Sequence, residues 1–388
     1  MAWHRIGIIG YGGFGKFLHH SWNQLSDVEI VAMADENPSC DPDGNYKFFR
    51  RWSDLLRDAD VDIVSIATPP SSHAGIACAA MECGVNVLIE KPLATSVKDA
   101  ERIIAVREKT GKKATVNYMM RFNPLIESLA LLGASGVFGE LFRVDVENYA
   151  QDGELPPDHW FWNPDIGGGI LIEHAVHFFD LVDSLTDQRP ERITGICHSR
   201  SGERENEVLA DILYDNGLIA THYHSFSRPG FFEETSIRLV YDLAQIELKG
   251  WIPLSGRIRV LVNSQTGKRL EALPGLAVEE NVSIDQIEDV SRPEGWGTDR
   301  RRTADMRKNS VRSGGKTYPV DRMITASFSA GRSKAELYSE GVRAVLQDLV
   351  KAVEKPGHRL RVTLEDGLSS LRAAAQATRN GRSPSQPH

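Results

Sequence analysis

Three side chains in the middle of the chain could take up, release or stabilise a proton. Lys91 directly follows a short apolar run, whereas Glu173 and His177 follow three consecutive glycines. Because Glu173 and His177 have i, i+4 spacing, a helix would place them on one face, where they can share a hydrogen bond. Histidine is a natural base near neutral pH, and a lysine can stabilise a developing alkoxide or act as a base when burial lowers its pKa. These residue types predict catalytic roles for all three in proton transfer.

Other interpretations of the same residues stay open from the sequence. Lys91 could be a surface lysine, and His177 could be a core histidine with internally bonded nitrogens. His174 could be the functional histidine instead. Glu173, His174 and His177 are of the types that bind zinc, but no further residue completes the set, so the sequence predicts no metal. Four cysteines without C-x-x-C spacing are predicted to be reduced thiols, at Cys40, Cys78, Cys83 and Cys197.

A dinucleotide-binding fingerprint lies at the beginning of the sequence. A short apolar run leads into G-x-G-x-x-G at Gly10, Gly12 and Gly15, a predicted helix follows, and the next apolar run ends at Asp35. In such motifs the first glycine allows a tight turn, the second admits a pyrophosphate and the third lets the helix pack on the strand. Phe14, inside the motif, is predicted to be a further cofactor contact. Asp35 would bond the adenosine ribose and repel a 2′-phosphate, so the predicted cofactor is NAD rather than NADP.

The first third of the sequence alternates short buried strands with helices, which predicts a parallel α/β sheet. Strands are predicted over 6–9, 30–34, 63–67, 87–89 and 114–118, with helices over 72–83 and 96–109. After Asp35, the residues Pro38, Pro42 and Gly44 argue against a crossover helix, because proline removes a donor and clashes with the preceding turn.

Alternating patterns in the second half predict an antiparallel sheet. Strands are predicted over 141–150, 209–214, 218–226, 236–240, 245–248 and 258–262, with an Asn-Gly hairpin turn at 216–217. Residues 263–320 are predicted to be irregular, either a solvated excursion or a flap that meets a substrate or a neighbouring subunit. Helices are predicted over 338–353 and 364–378. The predicted fold class is an α/β Rossmann domain over 1–124 and an α+β domain over 125–378 built on a large, mostly antiparallel sheet. The C-terminal helix could pack back on the first domain, and 379–388 would form a disordered tail.

Composition narrows the possible partners. The 388 residues are 41% hydrophobic and 25% charged, with a net charge of −8, which argues against nucleic acid or an anionic membrane as the main partner. No apolar run approaches the roughly 20 residues of a membrane span. The chain reaches its first predicted strand directly after Arg5, which leaves no room for a leader. The sequence therefore predicts a cytoplasmic location.

Three further motifs complete a pattern that resembles the Gfo/Idh/MocA family of sugar and cyclitol oxidoreductases. They are ATPPSSH over 67–73, EKP over 90–92 and GGGILIEHAVHFFD over 167–180. The resemblance implies that Thr68 and Pro69 line the nicotinamide ribose, with His73 nearby, and that Arg121 supports that wall of the site. Pro70 stands where the family often has asparagine, which puts one cofactor hydrogen bond in doubt.

The resemblance also assigns roles at the reacting centre. It implies that Glu90 and Lys91 lie beside the nicotinamide and that Lys91 touches the reacting hydroxyl. His177 falls at the position of the family's catalytic histidine, and Glu173 falls where many members have aspartate.

Aromatic residues just upstream suggest where a substrate would bind. The segment HWFWN over 159–163 precedes the triple glycine. Aromatic faces can pack on the apolar C–H face of a pyranose. Trp160, Trp162, Tyr149 and Asp152 are therefore predicted to set substrate specificity, beside substrate contacts from Lys91, Glu173 and His177. Ordinary core packing is the alternative.

The resulting prediction is an NAD-dependent dehydrogenase that oxidises a secondary hydroxyl of a sugar, sugar derivative or cyclitol. Two alternatives remain: an enzyme that retains NAD and uses transient oxidation for elimination or glycoside cleavage, and an NAD-binding transcriptional regulator without turnover. The strand 208–214 is apolar on both sides. A second buried face of the sheet predicts a homodimer or homotetramer.

Overall fold

The computed structural model describes residues 3–42, 46–151, 153, 155–200, 202–286 and 309–382. Its first sheet has six parallel strands in the order β3-β2-β1-β4-β5-β6. Apolar side chains on both faces of these strands are buried, as a sheet covered by helices on both sides requires. The predicted Rossmann-type sheet is confirmed. Its strands are β1 (His4–Ile9), β2 (Val28–Ala34), β3 (Lys47–Phe49), β4 (Ile63–Ile66), β5 (Asn86–Ile89) and β6 (Ala114–Val116).

Four helices connect these strands: α1 (Gly13–Trp22), α2 (Trp52–Asp58), α3 (His73–Glu82) and α4 (Val97–Thr110). The α1 N-terminus has no side-chain cap, which leaves its first N–H groups free for a ligand. By contrast, the Ser96 side chain accepts a hydrogen bond from the Asp99 backbone N–H and caps α4, and Gly111 ends that helix in a left-handed conformation.

The connection after Asp35 is short, as predicted. In its described part it holds one 3₁₀ turn, Pro38–Cys40, in which the Asn37 side chain accepts a hydrogen bond from the Ser39 backbone. The chain then forms β3 and α2, which the sequence analysis did not predict. A three-residue strand and a seven-residue helix, flanked by Arg50 and Arg51, are too short to show a clear hydrophobic period.

The second sheet has nine strands in the order β14-β17-β13-β12-β11-β7-β10-β9-β8. Neighbouring strands are antiparallel except β7 and β10, which pair in parallel. The predicted antiparallel hairpin is confirmed, because β9 and β10 are joined at Gly217, where φ is +90°. The strands are β7 (Leu141–Gln151), β8 (Pro190–His198), β9 (Glu207–Tyr214), β10 (Ile219–Arg228), β11 (Glu234–Tyr241), β12 (Ala244–Lys249), β13 (Ser255–Val262), β14 (Ala277–Ser283) and β17 (Arg322–Ser329).

The segment 263–320 is more ordered than predicted. Its described part contains α8 (Ser264–Arg269), β14 and a separate hairpin of β15 (Ser310–Ser313) and β16 (Lys316–Pro319). Strand β14 pairs with β17 at the edge of the nine-stranded sheet, and nearly all of its residues are exposed to solvent. A strand with no buried face carries no alternating hydrophobic signal, which is why the sequence did not reveal it. Residues 287–308 of this segment, which include the basic residues Arg300, Arg301 and Arg302, lie outside the described residues.

Besides α8, the described part of the chain after β6 has five further α-helices. They are α5 (Pro124–Ala134), α6 (Pro164–Gly167), α7 (Val176–Asp183), α9 (Lys334–Glu354) and α10 (Leu364–Gly381), with a π-helical turn at Leu171–Ala175. The predicted boundary at residue 124 coincides with the start of α5.

Helix α10 contacts both sheets. On one side Tyr118 and Ser370 share a 2.6 Å hydrogen bond, and on the other Asn380 donates to the Ile193 carbonyl at 2.8 Å. The predicted tail therefore needs correction at its start. Arg379–Gly381 continue α10, because its end is anchored on β8 and Arg382 pairs with Glu205, whereas 383–388 lie outside the described residues.

The outer face of the second sheet is only partly covered. In β9, Val208, Ala210, Ile212 and Tyr214 are buried beneath the helices, whereas Leu209 and Leu213 on the opposite face are intermediate. Large apolar side chains are exposed on other strands of this sheet, at Phe142, Ile196 and Ile219. In the described part of the chain no helix combines the length and hydropathy needed to cross a bilayer.

Candidate active site

A cavity of about 650 Å³ lies at the carboxyl ends of the first-sheet strands, where the glycine motif meets α1. A Cβ on Gly15 would lie 2.1 Å from the Gly10 carbonyl oxygen, so the close packing of α1 requires glycine there. A Cβ on Gly12 would meet nothing within 4 Å, and this open space beside the free N–H groups of α1 suits a pyrophosphate. Gly10, Gly12 and Phe14 line the cavity. The residues present therefore fit a dinucleotide.

Asp35 lies where the ribose would be recognised. Its carboxylate lines the cavity and accepts hydrogen bonds from the Tyr11 and Asn37 backbone N–H groups, each at 2.8 Å. These two bonds fix the carboxylate and leave acceptor positions for ribose hydroxyls. Arg50 and Trp52, which the sequence analysis did not select, line the same end of the cavity, and the Arg50 guanidinium donates to the Glu36 carbonyl. The adenine side therefore has an aromatic wall supplied by α2.

The motif after β4 contributes both a wall and its support. Thr68 and Pro69 line the large cavity, and the hydroxyls of Thr68 and Ser72 share a 2.6 Å hydrogen bond. His73 lines neither this cavity nor the smaller one beside it. Its buried ring joins two loops, with nitrogens 2.8 Å from the Pro92 carbonyl oxygen and 2.9 Å from that of Thr68. His73 therefore positions the loops around the cofactor cavity.

A second cavity of about 250 Å³ adjoins the first and shares Phe14, Ala67, Thr68 and Trp160 with it. Its remaining lining residues come from the loops after β4, β5, β6 and β12, from the π-helical turn and from α7 and α9: Pro70, Glu90, Lys91, Asn117, Met119, Glu173, His177, Trp251 and Tyr338. The structure thus brings together the three residues predicted to be catalytic.

Lys91 and Glu173 form a mostly buried ion pair. The Lys91 ammonium donates to the Glu173 carboxylate and, at 2.8 Å, to the Glu173 backbone carbonyl. Glu173 lies in the π-helical turn Leu171–Ala175, and such irregular turns change the helical hydrogen-bonding pattern. One residue therefore receives two of the three Lys91 N–H donors, and the third remains for another acceptor.

The predicted hydrogen bond between Glu173 and His177 is absent from the described structure. The π-helical turn alters the i, i+4 geometry on which that prediction rested, and the Glu173 carboxylate bonds Lys91 instead. His177 is 5% exposed, its ring packs edge-on against Trp251 at 5.2 Å, and its Nδ1 has no hydrogen-bond partner among the described residues. Burial, with a smaller effect of the Lys91 charge, lowers the His177 pKa well below the usual value for histidine. The imidazole is therefore neutral at neutral pH.

Glu90 and Asn117 supply further polar groups. The Asn117 amide donates to Glu90 at 2.5 Å, whereas Asn117 Oδ1 is buried with no partner in the described part of the chain. Burial raises the pKa of Glu90 to about 7. Within the same described ranges, Trp251 Nε1 is also buried without a partner. Trp251 and Tyr338 lie far from every motif in the sequence, so no local signal identified them.

Several predicted site residues lie elsewhere. Arg121 lines neither cavity, because its guanidinium bonds Asp180 at 2.7 and 2.9 Å and lies 3.2 Å from Asp366. Tyr149 lies on the outer face of the sheet, with its ring tilted against that of Tyr223 at a centroid distance of 5.5 Å, because β7 alternates and its inward positions are taken by other residues.

The aromatic segment divides in the same way. Trp160 lines both cavities, whereas Trp162 packs against Phe226 and lies under the Arg204 guanidinium at 3.9 Å. Asp152 lies outside the described residues. His174 is buried among Phe178, His224 and Phe226 and lines neither cavity. In the described ranges no group of three or more His, Cys, Asp or Glu side chains could hold a metal ion.

Comparisons with known proteins agree with this geometry. Residues 4–118 match the family described as an oxidoreductase family with an NAD-binding Rossmann fold, and residues 127–246 match the GFO/IDH/MocA C-terminal domain. Together these matches cover more than half of the chain.

Among named relatives, a 1-carboxy-3-chloro-3,4-dihydroxycyclohexa-1,5-diene dehydrogenase from Comamonas testosteroni is 28% identical over 244 residues, 59% of this chain and 62% of the relative. A UDP-N-acetylglucosamine 3-dehydrogenase from Acidithiobacillus ferrooxidans is 26% identical over 220 residues, 56% of this chain and 65% of the relative. The chain therefore spans less than two thirds of the length of these relatives.

Solved structures extend the similarity in fold to nearly the whole chain. An oxidoreductase domain protein from Kribbella flavida has a TM-score of 0.74 and 20% identity, covering 98% of this chain and 97% of the other. The WlbA dehydrogenase from Bordetella pertussis, in complex with NADH and UDP-GlcNAcA, has a TM-score of 0.70 and 17% identity, covering 98% and 96%. The family matches, the fold and the two adjoining cavities agree: the chain belongs to the Gfo/Idh/MocA family of NAD-binding oxidoreductases.

Proposed function

We propose that this protein is an NAD-dependent dehydrogenase that oxidises a secondary hydroxyl of a small sugar, sugar derivative or cyclitol. The observation that carries the proposal is the adjoining pair of cavities, in which Lys91, Glu173 and His177 face the space next to the cofactor cavity. Phe14 and Thr68 line both, so a substrate in the smaller cavity would lie beside the cofactor's reactive end.

The polar groups suit alcohol oxidation. The remaining Lys91 N–H donor can bond the substrate hydroxyl oxygen and stabilise negative charge as it develops. The neutral His177 ring, which lines the cavity, can accept the hydroxyl proton. NAD, when bound, accepts the hydride from the substrate carbon, which leaves a ketone. Glu173 holds Lys91 in place and balances its charge, so a neutral substrate meets no excess positive charge.

The volume of the smaller cavity and the residues that line it indicate the substrate class. A cavity of about 250 Å³ suits a single ring-sized molecule. Glu90, Asn117 and His177 line the cavity and carry groups that can hydrogen-bond substrate hydroxyls. The Trp160 and Trp251 rings offer faces to the C–H groups of a sugar or cyclitol. Lys91 is the one Lys or Arg among the described lining residues, and it is paired, which favours an uncharged polyol.

A substrate screen tests the proposal. Purified protein with NAD is offered a panel of neutral monosaccharides and inositols, and absorbance of the reduced nicotinamide is followed. We expect turnover with at least one neutral polyol, lost in Lys91→Ala and retained in Lys98→Ala, which removes an exposed lysine. Conversion of a substrate without net reduction of NAD would support the alternative of a retained cofactor. Binding of a sugar with no conversion would support the non-catalytic regulator.

We further propose that the protein is a cytoplasmic homodimer or homotetramer. All four cysteines are free thiols, as expected in a reducing compartment. The half-exposed apolar face of the second sheet, with Phe142, Ile196 and Ile219, supports coverage by another copy. Sedimentation at micromolar concentration should show a dimer or tetramer, and a monomer would contradict this.

A further inference from the structure

Two basic segments that are distant in the sequence meet at one cavity on the first sheet. The cavity has a volume of about 470 Å³. It is lined by Arg107 near the end of α4 and by Lys112 and Lys113 directly after that helix. His358 and Arg359, from the loop before α10, line its other side. Ala114, the first residue of β6, also lines it. Because Ala114 begins β6 and the strands are parallel, this cavity lies at the amino ends of the strands. The cofactor cavity lies at their carboxyl ends. The cavity at the amino ends is therefore separate from the proposed active site.

The charges around this cavity are only partly compensated. Arg107 pairs with Glu365 at 2.6 Å, and His358 pairs with Asp348 at 2.7 Å. Across the described ranges, no side-chain partner is found for Lys112, Lys113 or Arg359. Of the described residues that line the cavity, Glu108 is the one that is acidic. A concentration of unpaired cations in a chain of net charge −8 creates a local positive field that attracts anions.

Backbone contacts hold the two segments in place without using these cations. The Lys113 backbone N–H donates to the Asn86 side chain at 3.0 Å. On the facing loop, the Thr115 hydroxyl donates to the Val362 carbonyl at 2.8 Å, and the Arg361 backbone N–H donates to Asp348 at 2.8 Å. The backbone that carries the cations is thus fixed before any ligand arrives, which lowers the entropic cost of binding.

We propose that this cavity binds a small multivalent phosphate, either inorganic or the phosphate end of an ester. Lysine and arginine are suited to phosphate oxygens through charge-assisted hydrogen bonds. A volume of about 470 Å³ lies within the range of about 300–1,000 Å³ typical of small-molecule sites. Ala114, Ala352 and Leu360 add an apolar part to the lining that could meet the organic part of an ester. The assignment does not depend on the proposed dehydrogenase activity.

Calorimetry with sodium pyrophosphate tests the assignment. The full chain is first saturated with NAD, so that pyrophosphate cannot enter the cofactor cavity, and ionic strength is held constant with chloride. We expect one saturable site per chain. Lys112→Gln with Lys113→Gln, and separately Arg359→Gln, should weaken binding by at least about tenfold, because each removes a charge-assisted contact. Lys112→Arg with Lys113→Arg should retain binding.

The matched control is Lys98→Gln with Lys334→Gln, which removes two exposed lysines from the far ends of α4 and α9. Equal weakening in this control, or unchanged binding in the glutamine variants, would show general attraction to surface charge and overturn the proposal. Absence of saturable pyrophosphate binding by the unmodified chain would also overturn it. Unchanged NAD affinity and thermal midpoint in each variant establish that the fold is intact. Repeating the titration with a nucleoside triphosphate and with inorganic phosphate distinguishes an ester from a free phosphate.

Discussion

The two adjoining cavities are built in different ways. The cofactor cavity takes most of its described lining from residues 9–76, and two backbone N–H groups fix the Asp35 carboxylate. The substrate cavity takes its side chains from loops and helices spread along the chain, from Phe14 to Tyr338. Cofactor recognition is thus local in the sequence, whereas substrate recognition depends on tertiary structure.

The largest effect should come from the catalytic residues. Lys91→Ala and His177→Ala should each lower kcat by at least about 100-fold, the lower range for loss of a general acid–base group. The dissociation constant for NAD should change little, because the cofactor is held by the glycine motif and Asp35. Steady-state kinetics and calorimetry measure the two quantities. Near-normal turnover in His177→Ala would remove it from the mechanism and leave Lys91 as the base.

A smaller effect should follow from changing the cofactor cavity at Asp35. Asp35→Ala should weaken NAD binding by about 1.5–3 kcal/mol, the range for hydrogen bonds to a charged group. Because Trp52 lines the same cavity, we expect the lower part of that range. Calorimetry with NAD and NADP should also show a narrower preference for NAD in the variant. Comparable affinities for both cofactors in the unmodified protein would contradict the role given to Asp35. Trp52→Ala is the companion variant that measures the aromatic wall.

Buried histidines that line neither cavity should affect stability rather than activity. His222 and His224 have no hydrogen-bond partners among the residues that the structure describes, and burial lowers the pKa of His224 to about 3. The unfolded chain, with a histidine pKa of about 6.5, binds more protons below that pH, so the free energy of unfolding falls as pH decreases from about 6.5 towards about 3.

From pH 6.5 to pH 5 the contribution of His224 to this loss is at most about 2 kcal/mol. His224→Phe should remove the contribution, which denaturant titrations of both proteins at the two pH values would reveal. Taking the difference between the proteins separates His224 from Glu90, whose raised pKa of about 7 has the opposite effect: the stability it contributes is lost as pH rises through about 7. Equal pH dependence in both proteins would contradict the prediction.

The smallest effect is expected at Trp251. Trp251→Phe keeps an aromatic ring but makes the wall of the substrate cavity smaller, so KM for the substrate should rise by roughly fivefold, the effect of losing about 1 kcal/mol of aromatic contact. Affinity for NAD should not change, because Trp251 does not line the cofactor cavity. Trp162→Phe is the matched control, since Trp162 lines neither cavity. A KM that moves equally in both variants would show a packing effect and not a substrate contact.

The sequence predicted residues best where one local pattern carried the role. The glycine motif and Asp35 were predicted because a strand, a turn and a helix are adjacent in the chain. Lys91, Glu173 and His177 were predicted from residue type and motif, but the Glu173–Lys91 pairing was not, because it joins residues 82 positions apart across a π-helical turn. Tyr149 was assigned to the substrate although β7 turns it to the outer face. Arg121 was assigned to the cofactor although Asp180 holds it.

The sequence by itself determined the α/β and antiparallel halves and the dinucleotide-binding motif, and it led to the proposed reacting groups. These follow from hydrophobic period, turn residues and motif spacing, all of which act over a few residues. Only the tertiary structure decided that Trp251 and Tyr338 complete the substrate cavity, that Lys91 bonds Glu173, and that Lys112 and Arg359 share a cavity. The physical reason is that such contacts are made when helices and strands pack, and packing joins residues whose separation along the chain carries no signal of their distance in space.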